Sequence, residues 1–175
     1  MLERTLRKKR IYKGRIVGLR EDTVKLVNGV VSKREIVEHP GAVAVIAVTK
    51  DNKMVLISQF RKPAEKVLLE IPAGLVNKGE SAIEGARREL MEEAGYKAGK
   101  IREIFRGYSS PGYSTEIIRY YLASDLKKVP QNCDEDEIIN VKLYPVKKCL
   151  QMLKSGKIND NKTAIGIMMV NLWKS

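Results

Sequence analysis

Residues 68–96 spell out a strand, a loop and a helix with both helix ends specified locally. Residues 68–71 read as a short strand that ends at Pro72. Gly74 and Gly79 mark the loop that follows. Ser81 with Glu84 makes an S-x-x-E capping box, so a helix is expected to begin there. Ile83, Ala86, Leu90 and Ala94 then recur at helical spacing as a narrow apolar stripe, expected to face a core. Gly95 stands where a left-handed C-terminal cap belongs.

The same helix carries Arg87, Arg88, Glu89, Glu92 and Glu93, with Glu80 a few residues upstream. Helix neighbours lie three and four positions apart, so Glu89 and Glu93 share a face and Glu92 stands beside them. They are expected at the edge of the apolar stripe. Carboxylates that close repel one another unless something positive lies between them. Hard divalent cations take oxygen ligands and pair with phosphates. Spacing alone fits a cation site and a solvated acidic face equally well.

Residues 74–96, GLVNKGESAIEGARRELMEEAGY, resemble the Nudix hydrolase signature G-x5-E-x7-R-E-U-x-E-E-x-G-U, where U is a bulky apolar residue. Gly74, Glu80, Arg88, Glu89, Leu90, Glu92, Glu93 and Gly95 match, and only Tyr96 departs, where Ile, Leu or Val is usual. The resemblance implies an α/β fold, the Nudix-type α/β/α sandwich with a mixed sheet. It also implies hydrolysis of a nucleoside diphosphate linked to another moiety, with Mg²⁺, for which Mn²⁺ or Zn²⁺ can substitute.

Flanking segments are similar to ADP-ribose pyrophosphatases of that family. These are residues 34–43 (REIVEHPGAV), Gln59-Phe60-Arg61, Glu70-Ile71-Pro72-Ala73-Gly74, residues 109–116, the acidic run Asp134-Glu135-Asp136-Glu137 and residues 156–163. Pro111 falls 15 positions after Tyr96, where a proline marks ADP-ribose preference in the family. The expected reaction splits ADP-ribose into AMP and ribose 5-phosphate by metal-activated water. Another ADP-sugar or nucleotide sugar is the alternative substrate.

Site roles follow from the same resemblance. Glu89, Glu93, the backbone carbonyl of Ala73, Glu137 and Glu92 match metal-ligand positions. Glu135 matches the catalytic base, in a loop able to close over the cation. Arg88 and Glu80 match supporting positions, since a guanidinium fork holds carboxylates in place. Arg15, Ile16, Arg34, Glu35, Arg61, Leu75, Ser110 and Glu116 match substrate contacts, with Arg34 and Glu35 supplied from the opposite subunit. An aromatic common beside the adenine in the family is absent at Arg15-Ile16, and Tyr12 is the nearest ring. Arg87 is expected to be solvated and His39 structural. For Arg15 and Arg61 an ordinary surface role fits as well, and Asp134 to Glu137 also reads as a plain acidic turn.

Charge raises a different class of function. Among 175 residues the net charge is +12, with clusters at Lys8-Lys9-Arg10, Lys127-Lys128 and Lys147-Lys148. Basic chains bind nucleic acid through phosphate contacts. Here aromatics are only 6% and do not interleave with the basic residues, so nucleic-acid binding is the outside alternative. A basic surface equally attracts an anionic substrate. No apolar run approaches the roughly 18 residues of a membrane span, and residues 1–10 lack the apolar core of a secretory signal. Cys133 and Cys149 lack metal-type spacing, and free thiols in a reducing cytoplasm are expected.

The remaining pattern suggests residues 1–40 as an N-terminal strand unit and 41–175 as the catalytic domain. Strand 11–17 and a hairpin turning at Asn28-Gly29 make up the first. Residues 42–48 and 54–60 are expected to pair as a second hairpin around Asp51-Asn52, the first of them buried because it is continuously apolar. Strands are expected at 101–108, 117–123 and 138–143, and helices at 146–153 and 163–173. By resemblance the N-terminal strands pack across a homodimer and help build the partner's substrate site.

Overall fold

The computed structural model describes residues 2–133 and 137–172. The chain forms two compact units, Met1–Ala42 with Arg106–Ile118, and Val43–Phe105 with Arg119–Ser175.

The first unit is built on an antiparallel sheet of β1 (Arg4–Lys13), β2 (Gly18–Lys25) and β3 (Val31–Glu38), in that order. The Asn28-Gly29 turn lies where expected, with Leu26 N–H donating to Val30 O at 2.9 Å and Gly29 at φ +86°. The first strand differs from the 11–17 reading. It begins at Arg4 and stops at Lys13. Two of its basic residues face acids across the ladder, Lys8 opposite Asp22 and Lys9 opposite Glu21, and such opposite-charge pairs help stabilise a strand with no apolar alternation, whereas Arg4 faces Lys25 and Arg10 faces Arg20. The chain then turns, Gly14 N–H donating to Val17 O at 2.9 Å. The Tyr12 ring folds over Gly14, where a Cβ would stand 2.7 Å from Tyr12 Cε1 and displace the exposed ring.

Residues 109–116 are tied to the end of β3. Val37 N–H donates to Tyr113 O at 2.7 Å, Thr115 N–H to Val37 O at 3.0 Å, and His39 N–H to Thr115 Oγ1 at 2.9 Å.

The second unit holds two sheets. One has the order β10 (Ile139–Pro145), β5 (Lys53–Arg61), β6 (Lys66–Glu70), and the other β7 (Ala73–Gly74), β4 (Ala42–Ala47), β9 (Ile117–Lys128), β8 (Tyr96–Tyr108). The expected hairpin of 42–48 with 54–60 is therefore corrected. A tight turn joins β4 to β5, Asn52 N–H donating to Thr49 O, but the strands touch only at the Val48–Met54 bridge and enter different sheets. Each finds a longer partner elsewhere: β5 pairs with β6 and β10 over most of its length.

Strand β4 is buried on both faces. Val43, Val45 and Ala47, with Val55 and Ile57, pack against Ala86, Leu90 and Ala94 of α1 (Ala82–Ala94). On its other face Ile46, with Ile71, meets Gly166 of α3 (Asn161–Leu172), and a Cβ on Gly166 would approach Ile46 Cγ1 to 3.0 Å. Helix α2 (Val146–Lys154) completes the expected helix set. Helix layers thus flank the strands on both sides, the α/β/α arrangement.

Helix α1 has both predicted caps. Ser81 and Glu84 form a reciprocal capping box, and Gly95 takes the left-handed conformation at φ 67° and ψ 39°. Its buried face is rotated from the expected one. Ile83 is 40% exposed, because Val76 and Ala82 pack onto the core at that end. Glu89 and Glu93, expected at the rim, are buried.

Candidate active site

Two carboxylates of α1 face the short strand β7. Glu93 is 2% exposed, and its Oε2 accepts from Ala73 N–H at 2.8 Å. Glu89 lies directly over Gly74, where an added Cβ would stand 2.3 Å from Glu89 Oε1. Burial raises both carboxyls above the usual range, Glu93 to about 8, and the charge of Glu137 pushes both further up. Glu137 is therefore felt at the acidic face of α1 from the residues leading into β10.

Arg88 holds the surrounding acids. Its Nε and Nη2 bond Glu80 at 3.0 and 3.1 Å, Nη1 bonds Glu89 Oε1 at 2.8 Å and Glu92 Oε2 at 2.7 Å, and Nη2 also bonds Leu75 O at 2.8 Å. Those bonds hold Glu80 below the ordinary carboxylate range. Arg87, read as solvated, instead donates to Ala98 O at 2.8 Å.

The C-terminal end of α1 also anchors the segment that leads into the acidic run. Gln131 Nε2 donates to Glu93 O at 2.6 Å, Asn132 N–H to Glu92 O at 3.2 Å, and Cys133 Sγ to Glu92 O at 3.3 Å. Glu135, with Asp134 and Asp136, lies outside the described residues.

A buried charge network adjoins this face, and of its members the sequence reading assigned only Arg61, as a substrate contact. Glu70 is fully buried at the end of β6. Arg61 grips it with Nε and Nη2 at 2.8 and 2.9 Å, and Lys162 Nζ reaches it at 3.2 Å and Asp160 at 2.7 Å. Asp160 caps α3 by accepting from Thr163 N–H at 2.8 Å, while Thr163 Oγ1 accepts from Ile71 N–H at 2.8 Å. A lone acid closing an apolar strand, Leu68-Leu69-Glu70, was the signal that sequence offered. A charge there survives burial only when paired and hydrogen-bonded.

The remaining expected substrate residues all belong to the first unit. Ile16 lines a cavity of about 310 Å³ with Lys13, Glu38, His39 and Thr115, and Arg15 beside it is exposed. Arg34 pairs with Glu3 at 2.5 and 3.1 Å, and Glu35 is exposed. On β3, Arg34 is four residues from Glu38 at that cavity, roughly 13 Å along a strand, so the sheet does not bring Arg34 and Ile16 together within one chain. Ser110 O accepts from Tyr113 and Ser114 N–H, and Glu116 lies 3.6 Å from His39 Nδ1. That nitrogen accepts from Gly41 N–H at 3.1 Å, so the ring braces a turn.

The donor set suits a hard divalent cation. Glu89 and Glu93 are buried oxygen donors whose charges oppose one another, so an ion between them relieves both. Among the described residues no three such side chains already converge on one point. Arg88 meanwhile shares Glu89 Oε1.

A family model described as NUDIX domain matches residues 38–164. The chain is 43% identical to the ADP-ribose pyrophosphatase of Bacillus subtilis (strain 168), over 97% of this chain and 93% of that protein. It is 44% identical to the methanol dehydrogenase activator of Bacillus methanolicus, over 99% and 95%. A crystal structure of an ADP compounds hydrolase superposes with a TM-score of 0.88 at 23% identity, covering 99% of this chain and 94% of that one, which establishes the fold.

Proposed function

Because the chain belongs to the NUDIX family, we propose that it hydrolyses the diphosphate of ADP-ribose to AMP and ribose 5-phosphate. The observation that carries this reading is the buried pair Glu89 and Glu93, held against Gly74 and Ala73. Burying two carboxylates side by side disfavours their charged forms, and a bound cation offsets that cost. The relative named for ADP-ribose supplies the substrate.

In this reading Glu89, Glu93, Glu137, the Ala73 carbonyl and Glu92 hold the cation, Mg²⁺ by preference. A bound ion would neutralise phosphate charge and acidify water. The chain does the rest. Arg88 and Glu80 fix the acids in position, their bonds giving the guanidinium one arrangement. Arg61, oriented by Glu70, presents a cation to phosphate oxygens. Glu135 takes the proton of the water whose oxygen attacks phosphorus. The P–O–P bridge then breaks and its oxygen leaves with one product. Leu75, Ser110 and Glu116 contact substrate, as do Arg15 and Ile16 at the adenine end.

The homodimer belongs to the same reading, with Arg34 and Glu35 serving the partner's site. What supports it is the edge of β1, exposed along its whole length with Leu6, Ile11 and Tyr12 open. Sedimentation at twice the 19.8 kDa chain mass is expected, and a monomer contradicts it. A cytoplasmic setting fits too: neither cysteine is in a disulfide, and among the described residues no helix is long and apolar enough to cross a membrane.

The test is AMP release from ADP-ribose with Mg²⁺, beside GDP-mannose, ADP-glucose, NADH and a nucleoside triphosphate. Preference for ADP-ribose, abolished by chelator, is expected. Preference for another substrate overturns the specificity and keeps the family chemistry. The relative named as a dehydrogenase activator supports a second reading, action in company with a dehydrogenase. Stimulation of a purified alcohol dehydrogenase by this protein tests that reading, and an unchanged rate rejects it.

A further inference from the structure

Gln59 is the one buried side chain among the described residues whose polar atom goes unpartnered. It is 9% exposed, and its Oε1 accepts no hydrogen bond. Buried amides are nearly always satisfied, so an orphaned acceptor needs a cause.

Its surroundings supply one. Alternate residues of a strand share a face, so Ile57, Gln59 and Arg61 of β5 point the same way. Ile57 packs in the cluster with Leu90 and Ala94, the neighbours of Glu93 on α1. Arg61 lies in the field of Glu93. Across the ladder Gln59 pairs with Ile139, two residues after Glu137, whose charge reaches Glu89 and Glu93. Three neighbours therefore bracket Gln59 on the side of the acidic face.

A neutral carbonyl oxygen there adds no charge to the crowded carboxylates. It is an acceptor without a donor, where carboxylates supply only more acceptors. A small divalent cation keeps several waters of hydration, and those waters are donors. We propose that Gln59 Oε1 accepts a hydrogen bond from the hydration shell of the cation held by Glu89 and Glu93, making Gln59 a positioning residue for the ion. The inference rests on the cation site proposed above. A substrate hydroxyl is the other source of such a donor.

The two sources separate if Mn²⁺ binding is titrated by electron paramagnetic resonance with no substrate present. Gln59→Leu removes the acceptor while filling the space, and Gln59→Glu keeps an acceptor. Residues of this outer kind typically change metal affinity roughly 10–100-fold. Gln59→Leu is expected to weaken Mn²⁺ binding by that order, and Gln59→Glu to retain it. In chelator Gln59→Leu should melt no lower than the parent, since no protein hydrogen bond is lost. Should leucine's branching prevent folding, the straight-chained Gln59→Met carries the same comparison. Unchanged Mn²⁺ affinity in the apolar variant overturns the inference, and with weaker ADP-ribose binding it assigns Gln59 to the substrate. Equal weakening by leucine and glutamate also overturns it. Loss of Mn²⁺ binding in Glu93→Gln is the separate check on the cation site itself.

Discussion

At the scale of single residues, Gly74 shows how a backbone position serves chemistry on another element. It is not in a left-handed conformation, so a side chain is permitted by φ. What forbids one is the Glu89 carboxyl lying 2.3 Å from where a Cβ would stand. Gly74→Ala should therefore fold but push Glu89 off its seat. We expect Mn²⁺ affinity and AMP release to fall together, read by titration and by assay. A fully active Gly74→Ala would show that Glu89 need not lie where it does. Arg88 makes the complementary point: one guanidinium meets Glu80, Glu89, Glu92 and a carbonyl, so lysine, with one point charge, cannot replace it.

At the scale of elements, α3 and the strand end at Ile71 are joined by Thr163. It is fully buried, accepts from Ile71 N–H and donates to Asp160. Thr163→Val keeps the shape and orphans that N–H, which should destabilise by about 1–3 kcal/mol in denaturant unfolding. Thr163→Ser should recover most of it, and a valine variant as stable as the parent would contradict the account. Helix α1 was legible from sequence because its caps are local: Ser81, Glu84 and Gly95 act within a few residues of one another. The separation of β4 and β5 into different sheets was not, because a two-strand turn looks the same whichever partners the strands find later. Glu70 was missed for a related reason. Its cations, Arg61 and Lys162, are nine residues before it and ninety-two after it, and meet only in the fold. The box glutamates were read at a rim and proved buried, since spacing gives a face but not how deeply the face is packed.

For the molecule as a whole, holding Glu93 in the interior links metal, pH and stability. Without metal its carboxyl is raised from 4.5 to about 8, burial being the main cause. A carboxyl raised on folding adds stability that is full below the unfolded value and lost as pH rises through the folded one. The metal-free protein should thus lose melting temperature between about pH 4.5 and about pH 8 through this group. A cation that binds the ionised form should restore it, so the rise in melting temperature with Mg²⁺ should grow over that interval. Glu93→Gln should abolish the difference. An equal Mg²⁺ effect at both pH values would mean that Glu93 is not the linked group.

The central claim is that α1 carries the cation that drives hydrolysis. AMP release from ADP-ribose by Glu93→Gln, under saturating Mg²⁺ and with circular dichroism showing the fold intact, tests it most directly. The account predicts turnover lower by several orders of magnitude. Near-normal turnover in the folded variant would contradict it.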